Sequence, residues 1–201
     1  MKEKIFIVGD SFVEGVGDTE GGWPNRLRHM IECHFEVIVD GLGGRNIHEV
    51  KKVAEVNVVN IQPKFLIICV GINDSRRRES LGGLEIEPKA FLNYYRGLIQ
   101  MARANGVKRC YNLGTSRVDE SLVLDYKVDK SHTNEGAEQI DREICHAALE
   151  SGSVYVPISH LVSAKTDVPT LFDGLHPNEH GHRLIAEAVF YAMSDHGDIL
   201  V

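Results

Sequence analysis

Short apolar runs alternate along this chain with longer stretches in which apolar residues recur every three or four positions. The runs are Ile5–Val8, Phe35–Val39, Phe65–Val70, Arg109–Leu113 and Val154–Ile158. Runs this short, rich in Val, Ile and Phe, predict strands buried on both faces. Between the second and third, Val50, Val53, Ala54, Val58 and Ile61 share one helical face over Ile47 to Ile61, and Pro63 stops the pattern. Pro88 opens another helix carrying Phe91, Leu92, Tyr95, Leu98, Ile99 and Ala102, closed by Gly106. Ile140, Ile144, Ala147 and Ala148 mark a further helix, and Leu184, Ile185, Ala188, Val189 and Ala192 the last. Five strands alternating with helices predict a single parallel sheet covered on both sides. No linker, internal repeat or low-complexity segment divides residues 1–201, so one domain is expected. The polar stretch Thr115 to Thr133 reads as a long loop with at most a helical turn.

Ligands of such a sheet bind beyond the carboxyl ends of its strands. The segments found there are Gly9-Asp10-Ser11-Phe12, Asp40-Gly41-Leu42-Gly43-Gly44, Gly71-Ile72-Asn73-Asp74 and, after the fifth strand, Asp173-Gly174-Leu175-His176-Pro177. A serine hydroxyl is a weak nucleophile until a base takes its proton, and the base needs a partner to hold its tautomer. His176 could be that base and Asp173 its partner. Asn73 and the amides of Gly44 and Ser11 could face a developing oxyanion. Taken singly, each piece has a plainer role: Ser11 as a turn residue, Gly43-Gly44 as a turn, Asn73 as a loop former, Asp173-Gly174 as a turn dipeptide.

Composition narrows the classes. At 201 residues, 43% hydrophobic and 25% charged, the chain is globular, and it is long enough for a substantial core without disulfides. A formal charge of -7 argues against nucleic-acid binding. No run reaches a membrane span, and Met1-Lys2-Glu3-Lys4 leads straight into the first strand, so a cytoplasmic protein without integral membrane association is expected. Cys33, Cys69, Cys110 and Cys145 lie 35 or more residues apart with no CxxC pairing, which predicts buried free thiols in a reducing compartment.

In this order and spacing, GDSF, GLGG, GIND and DGLHP make the chain resemble the SGNH hydrolases, the GDSL-type esterases and lipases. The resemblance implies a three-layer α/β/α sandwich with flavodoxin-like strand order 2-1-3-4-5. It also implies a cofactor-free hydrolase of a small-molecule carboxylic ester or thioester working through an acyl-enzyme. Carried over residue by residue, it makes Ser11 the nucleophile, His176 the base and Asp173 its orienting acid. The implied oxyanion hole is formed by Ser11, Gly44 and Asn73, with Gly43 the alternative to Gly44. The chain departs from the family pattern at Val39, where Asn is common, at Arg45-Asn46 after Gly44, and at Pro157, where an acid is frequent.

Two rival readings remain open from sequence. A non-catalytic nucleotide-binding domain could use Gly15 to Gly21, although the glycine spacing misses the dinucleotide pattern by one and nearby acids would repel a pyrophosphate. A metal-dependent hydrolase could use His176, His180 and His182 with Asp173, although Pro177 interrupts a helical ligand face and His180-Gly181-His182 reads as an exposed helix start. Asp10 is expected to orient the turn through backbone N–H groups, and Trp23 to be core. Arg76-Arg77-Arg78 begin the loop leaving the site edge. They are expected either to pair with Glu79, Glu85 and Glu87 or to steer anionic substrates.

Overall fold

A computed structural model describes residues 2–123 and 128–199 of the chain. Residues 124–127, inside the expected Thr115–Thr133 loop, fall outside the described part. Five parallel strands form the main sheet: β1 (Glu3–Gly9), β2 (Phe35–Gly41), β3 (Phe65–Cys69), β6 (Arg109–Leu113) and β7 (Val154–Val156). Their spatial order is β2-β1-β3-β6-β7, the expected 2-1-3-4-5. A hairpin of β4 (Arg77–Arg78) and β5 (Gly83–Leu84), joined by a 3₁₀ turn at Glu79–Leu81, lies apart from it. The helices are α1 (Ser11–Glu14), α2 (Gly22–Ile31), α3 (Ile47–Ile61), α4 (Pro88–Ala104), α5 (Glu120–Val123), α6 (Asn134–Ser151) and α7 (Glu179–Asp195).

Alternation along the central strands builds two cores. Ile5, Ile7, Phe65, Ile67 and Tyr111 face α2 and α7, where Trp23, Leu27, Ile185 and Val189 complete the packing. Phe6, Val8, Leu66, Ile68 and Cys110 face α3, α4 and α6, against Val50, Tyr95, Leu98 and Ile144. A strand covered on both faces needs apolar side chains in both directions, which is why Ile5–Val8 and Phe65–Cys69 are unbroken rather than alternating. Trp23 is fully buried, as expected. Among the described residues no helix is long and apolar enough to cross a membrane.

Local chemistry sets the ends. The α3 start is a capping box in which Asn46 Oδ1 accepts from Glu49 N–H at 3.2 Å and Glu49 Oε2 accepts from Asn46 N–H at 3.0 Å. This accounts for Asn46 after the glycine loop. Strand β7 ends two residues earlier than the sequence suggests, because Pro157 has no N–H to continue the ladder. Gly41 is required where β2 passes α1: a Cβ there would lie 2.3 Å from the Glu14 nitrogen.

Two expectations are corrected. Cys69 and Cys110 are buried in the sheet, but Cys33, in the turn that follows α2, is exposed, and Cys145, on α6, is only partly covered. The start of α7 is not exposed at His182, which has no accessible surface. Its Nδ1 accepts the Trp23 N–H at 3.1 Å, and its Nε2 bonds the Val16 carbonyl at 3.0 Å. Since Nδ1 accepts, Nε2 carries the proton, and the neutral ring ties α7 to α2 and to the loop before it.

Burial holds the His182 pKa below its ordinary value. A depressed histidine contributes stability present above its unfolded pKa of about 6.5 and lost as pH falls through the folded value. His182→Ala leaves buried partners unsatisfied and is expected to cost about 1–3 kcal/mol in urea denaturation at pH 7.5. The gap between wild type and variant should narrow below about pH 6; a constant gap would show that ring neutrality does not matter.

Candidate active site

Strands β1 and β3 run in register from Ile5 opposite Phe65 to Gly9 opposite Cys69. The pairing continues one residue further, with Asp10 N–H donating to the Cys69 carbonyl at 3.3 Å. The chain therefore leaves both strands level, delivering Ser11 and Asn73 to neighbouring positions above the sheet. Asp10 caps α1, its Oδ1 accepting the Phe12 N–H at 3.0 Å, which is the turn-orienting role expected of it.

Ser11 Oγ lies 3.1 Å from His176 Nε2, and His176 Nδ1 lies 2.7 Å from Asp173 Oδ2. Asp173 divides its carboxylate: Oδ1 accepts the backbone N–H groups of Leu175 at 3.0 Å and His176 at 2.8 Å, shaping the turn, while Oδ2 meets the imidazole. A bond from Phe172 N–H to the His176 carbonyl at 2.8 Å closes this loop. Burial pushes the Asp173 pKa up, but the bonds from His176 and Leu175 outweigh it and hold the carboxyl below its usual range. Ser11 is only 6% accessible, with His176 lying against its hydroxyl.

Asn73 joins the two other loops. Its Nδ2 donates to Asp10 Oδ2 at 3.3 Å and to the Arg45 carbonyl at 3.0 Å, so it sits between the residue before Ser11 and the residue after Gly44. The glycine loop lies against the serine: a Cβ on Gly43 would fall 3.8 Å from Ser11 Cβ. The two glycines differ in what their amides do. Gly43 N–H is held by Glu14 Oε2 at 2.7 Å. Gly44 has φ of 84°, and a Cβ there would touch nothing within 4 Å.

Four ionisable groups unused by that constellation lie beneath it. Burial raises Asp10 to about 7, offset partly by its bonds from Phe12 and Asn73. Burial likewise raises Asp74 to about 7, with the Asp10 charge adding to it, and its Oδ1 accepts the Ile47 N–H at 3.0 Å. His132 is buried and pushed down to about 4 by desolvation and by the charges of Arg76 and His176. Arg76 reaches inward with its Nε 2.8 Å from the Asn73 carbonyl. Glu14 and His132 were not assigned to the site from sequence, and Arg76 was placed only at its edge, as a member of the arginine run. Only the i+3 spacing of Glu14 from Ser11 was available as a signal.

The rival constellations are not assembled. Among the described residues no group of three or more His, Cys, Asp or Glu side chains is placed to hold a metal ion. His176 and His182 each commit both ring nitrogens to different protein atoms. Gly15 closes α1, a Cβ on Gly17 would meet the Pro177 carbonyl at 2.1 Å, and Asp18 pairs with Arg26 at 2.7 Å. That loop is packed against the His176 segment rather than opened as a phosphate cradle. Of the expected arginine partners, Glu85 takes Arg76 and Arg78, whereas Glu135 takes Arg77.

The sequence profile of the GDSL-like Lipase/Acylhydrolase family matches residues 7–184. The chain belongs to this family. It is a carboxylic ester hydrolase of the GDSL type. No curated protein matches it in sequence. Solved structures share the fold of this GDSL hydrolase at low identity. TesA superposes with a TM-score of 0.75 at 20% identity, covering 96% of this chain and 99% of its own. A catalytic mutant of Axe2, an acetylxylan esterase from Geobacillus stearothermophilus, gives 0.77 at 18%, covering 95% and 94%. LAE5, an α/β hydrolase from the metagenome of Lake Arreo in Spain, gives 0.76 at 17%, covering 96% and 95%.

Raised carboxyls stabilise the fold at low pH. Asp10 and Asp74 contribute stability that is complete below the ordinary carboxylate range and lost as pH rises through about 7. Asp74→Asn cannot ionise, so its stability should fall less steeply than wild type between about pH 5 and 8. Parallel curves in guanidinium denaturation would mean that Asp74 ionises in the fold at no cost.

Proposed function

We propose that this GDSL hydrolase cleaves carboxylic esters or thioesters through an acyl-enzyme on Ser11. The observation that carries the reading is the unbroken line of contacts from Ser11 Oγ through His176 to Asp173. Ser11 Oγ attacks the substrate carbonyl carbon while its proton passes to His176 Nε2. Asp173 holds Nδ1–H and balances the imidazolium. The tetrahedral intermediate collapses, the alcohol or thiol leaving group takes the proton from Nε2, and the acyl group stays on Ser11. Water then repeats the attack with His176 as base, releasing the acid and free Ser11.

Three donors serve the oxyanion in this reading. Ser11 N–H lies in the first turn of α1, where helical geometry supplies no acceptor. Gly44 N–H is preferred over Gly43 N–H, because the latter is already bonded to Glu14. The third is Asn73 Nδ2. Its two hydrogens rest on Asp10 and Arg45, and the longer bond, at 3.3 Å to Asp10, is the one the oxyanion displaces. Substrates are drawn from small esters, thioesters, lysophospholipids and acetylated sugars, the last in keeping with the acetylxylan esterase activity that Axe2 is named for. A cytoplasmic location and action without a cofactor belong to the same reading.

Ser11→Ala and His176→Ala should each lower kcat by several orders of magnitude, and a fluorophosphonate should label Ser11 in wild type only. Retained turnover in Ser11→Ala would remove the nucleophile. Asn73→Ala should lower kcat about 100-fold or more with little change in KM, since that bond strengthens as charge develops. A loss confined to KM would make Asn73 a ground-state contact.

A further inference from the structure

The three consecutive arginines have separate fates. Arg77 is 43% exposed and faces Glu135 at 3.5 Å. Arg78 spans Glu85 at 3.0 Å and Asp129 at 3.8 Å. Arg76 alone turns inward, its side chain 10% accessible. A guanidinium that deep is costly unless its charge is balanced and its donors are used. Its Nε lies 2.8 Å from the Asn73 carbonyl and 2.9 Å from Glu85 Oε2. One Nε carries one hydrogen. The carbonyl takes the hydrogen bond, and the carboxylate balances the charge.

We propose that Arg76 is a positioning residue for ester hydrolysis, fixing the backbone of Asn73 so that its side-chain amide is held where the oxyanion forms. This rests on the reading of Asn73 as an oxyanion donor. Asn73 is gripped at both ends: Asp10 and the Arg45 carbonyl hold the amide, and Arg76 holds the carbonyl. The grip is anchored outside the site. Glu85 N–H donates to the Arg76 carbonyl at 2.6 Å, and Glu85 also pairs with Arg78, so the β4–β5 hairpin closes on Arg76 as a clamp. The neighbouring turn is fixed independently, with Ser75 N–H on the Gly71 carbonyl at 2.9 Å and Ser75 Oγ on the Ile72 carbonyl at 2.8 Å. Loss of the Arg76 side chain therefore leaves the Asn73 carbonyl only the longer bond from the Arg76 backbone N–H, at 3.4 Å, and loosens the peptide without unravelling the turn. The guanidinium also draws down the pKa values of Asp10 and Asp74, opposing their burial.

The test is a double-mutant cycle with a neutral short-chain ester. Arg76→Gln is expected to lower kcat about 10- to 100-fold with KM changed less than about twofold, in line with the cost of a misplacement of about 1 Å. In an Asn73→Ala background, the same change should cost less than about twofold, because Arg76 acts through a group already removed. An undiminished cost in that background would overturn the proposal, as would a loss confined to KM of a carboxylate-bearing ester, which would make Arg76 a substrate contact. If Asn73→Ala leaves kcat unchanged, the oxyanion assignment fails; if Asn73→Ala is slow while Arg76→Gln is not, the Arg76 inference alone fails. Should Arg76→Gln not fold, Glu85→Gln keeps the guanidinium and removes its counter-charge. Its smaller drop in kcat must likewise vanish in the Asn73→Ala background, and a drop that persists there overturns the clamp.

Discussion

The level exit of β1 and β3 is the constraint from which the site follows. Parallel register sets Gly9 beside Cys69, and the Asp10 bond to the Cys69 carbonyl carries that register past the last ladder pair. Everything above the sheet is then positioned by short chain lengths: Ser11 two residues beyond Gly9, Asn73 four beyond Cys69. A slip of one residue between these strands would turn Ile5 and Ile7 from one core to the other. The apolar faces that fold the domain therefore also fix where the serine stands relative to the asparagine.

Much of this was legible because two-sided burial leaves a strong mark. Ile5–Val8 and Phe65–Val70 read as strands for the same reason that they sit between two helical layers. The blocks carrying Ser11 and Asn73 were readable because they directly follow strands, and Asp173 and His176 because they stand three apart around a glycine just before the last helix. What stayed hidden depends on partners far away in sequence. The β4–β5 hairpin has two-residue strands and charged side chains, so no periodicity announces it. His182 looks like any histidine at a helix start; only the arrival of Trp23, 159 residues earlier, turns it into a buried link. The choice between Gly43 and Gly44 turns on Glu14, whose carboxylate reaches the loop across a turn that sequence cannot close.

The electrostatics beneath the serine pose a problem. On the proposed mechanism a negative charge grows on the substrate oxygen, yet Asp10 and Asp74 are buried close by, and Asp10 competes for the same Asn73 hydrogen. Two ionised carboxylates there would oppose the oxyanion in a region where water screens little. Burial supplies the answer by raising both groups to about 7, so that near neutrality a substantial part of that charge is removed by protonation. Arg76 works against this by favouring the ionised forms, but it adds a positive charge of its own on the same side. At about pH 7 each acid is therefore about half protonated, and a protonated Asp10 competes less strongly for the Asn73 hydrogen than a carboxylate would. A surface-exposed aspartate at position 10 would cap the same turn, but near pH 7 it would be almost fully charged rather than about half.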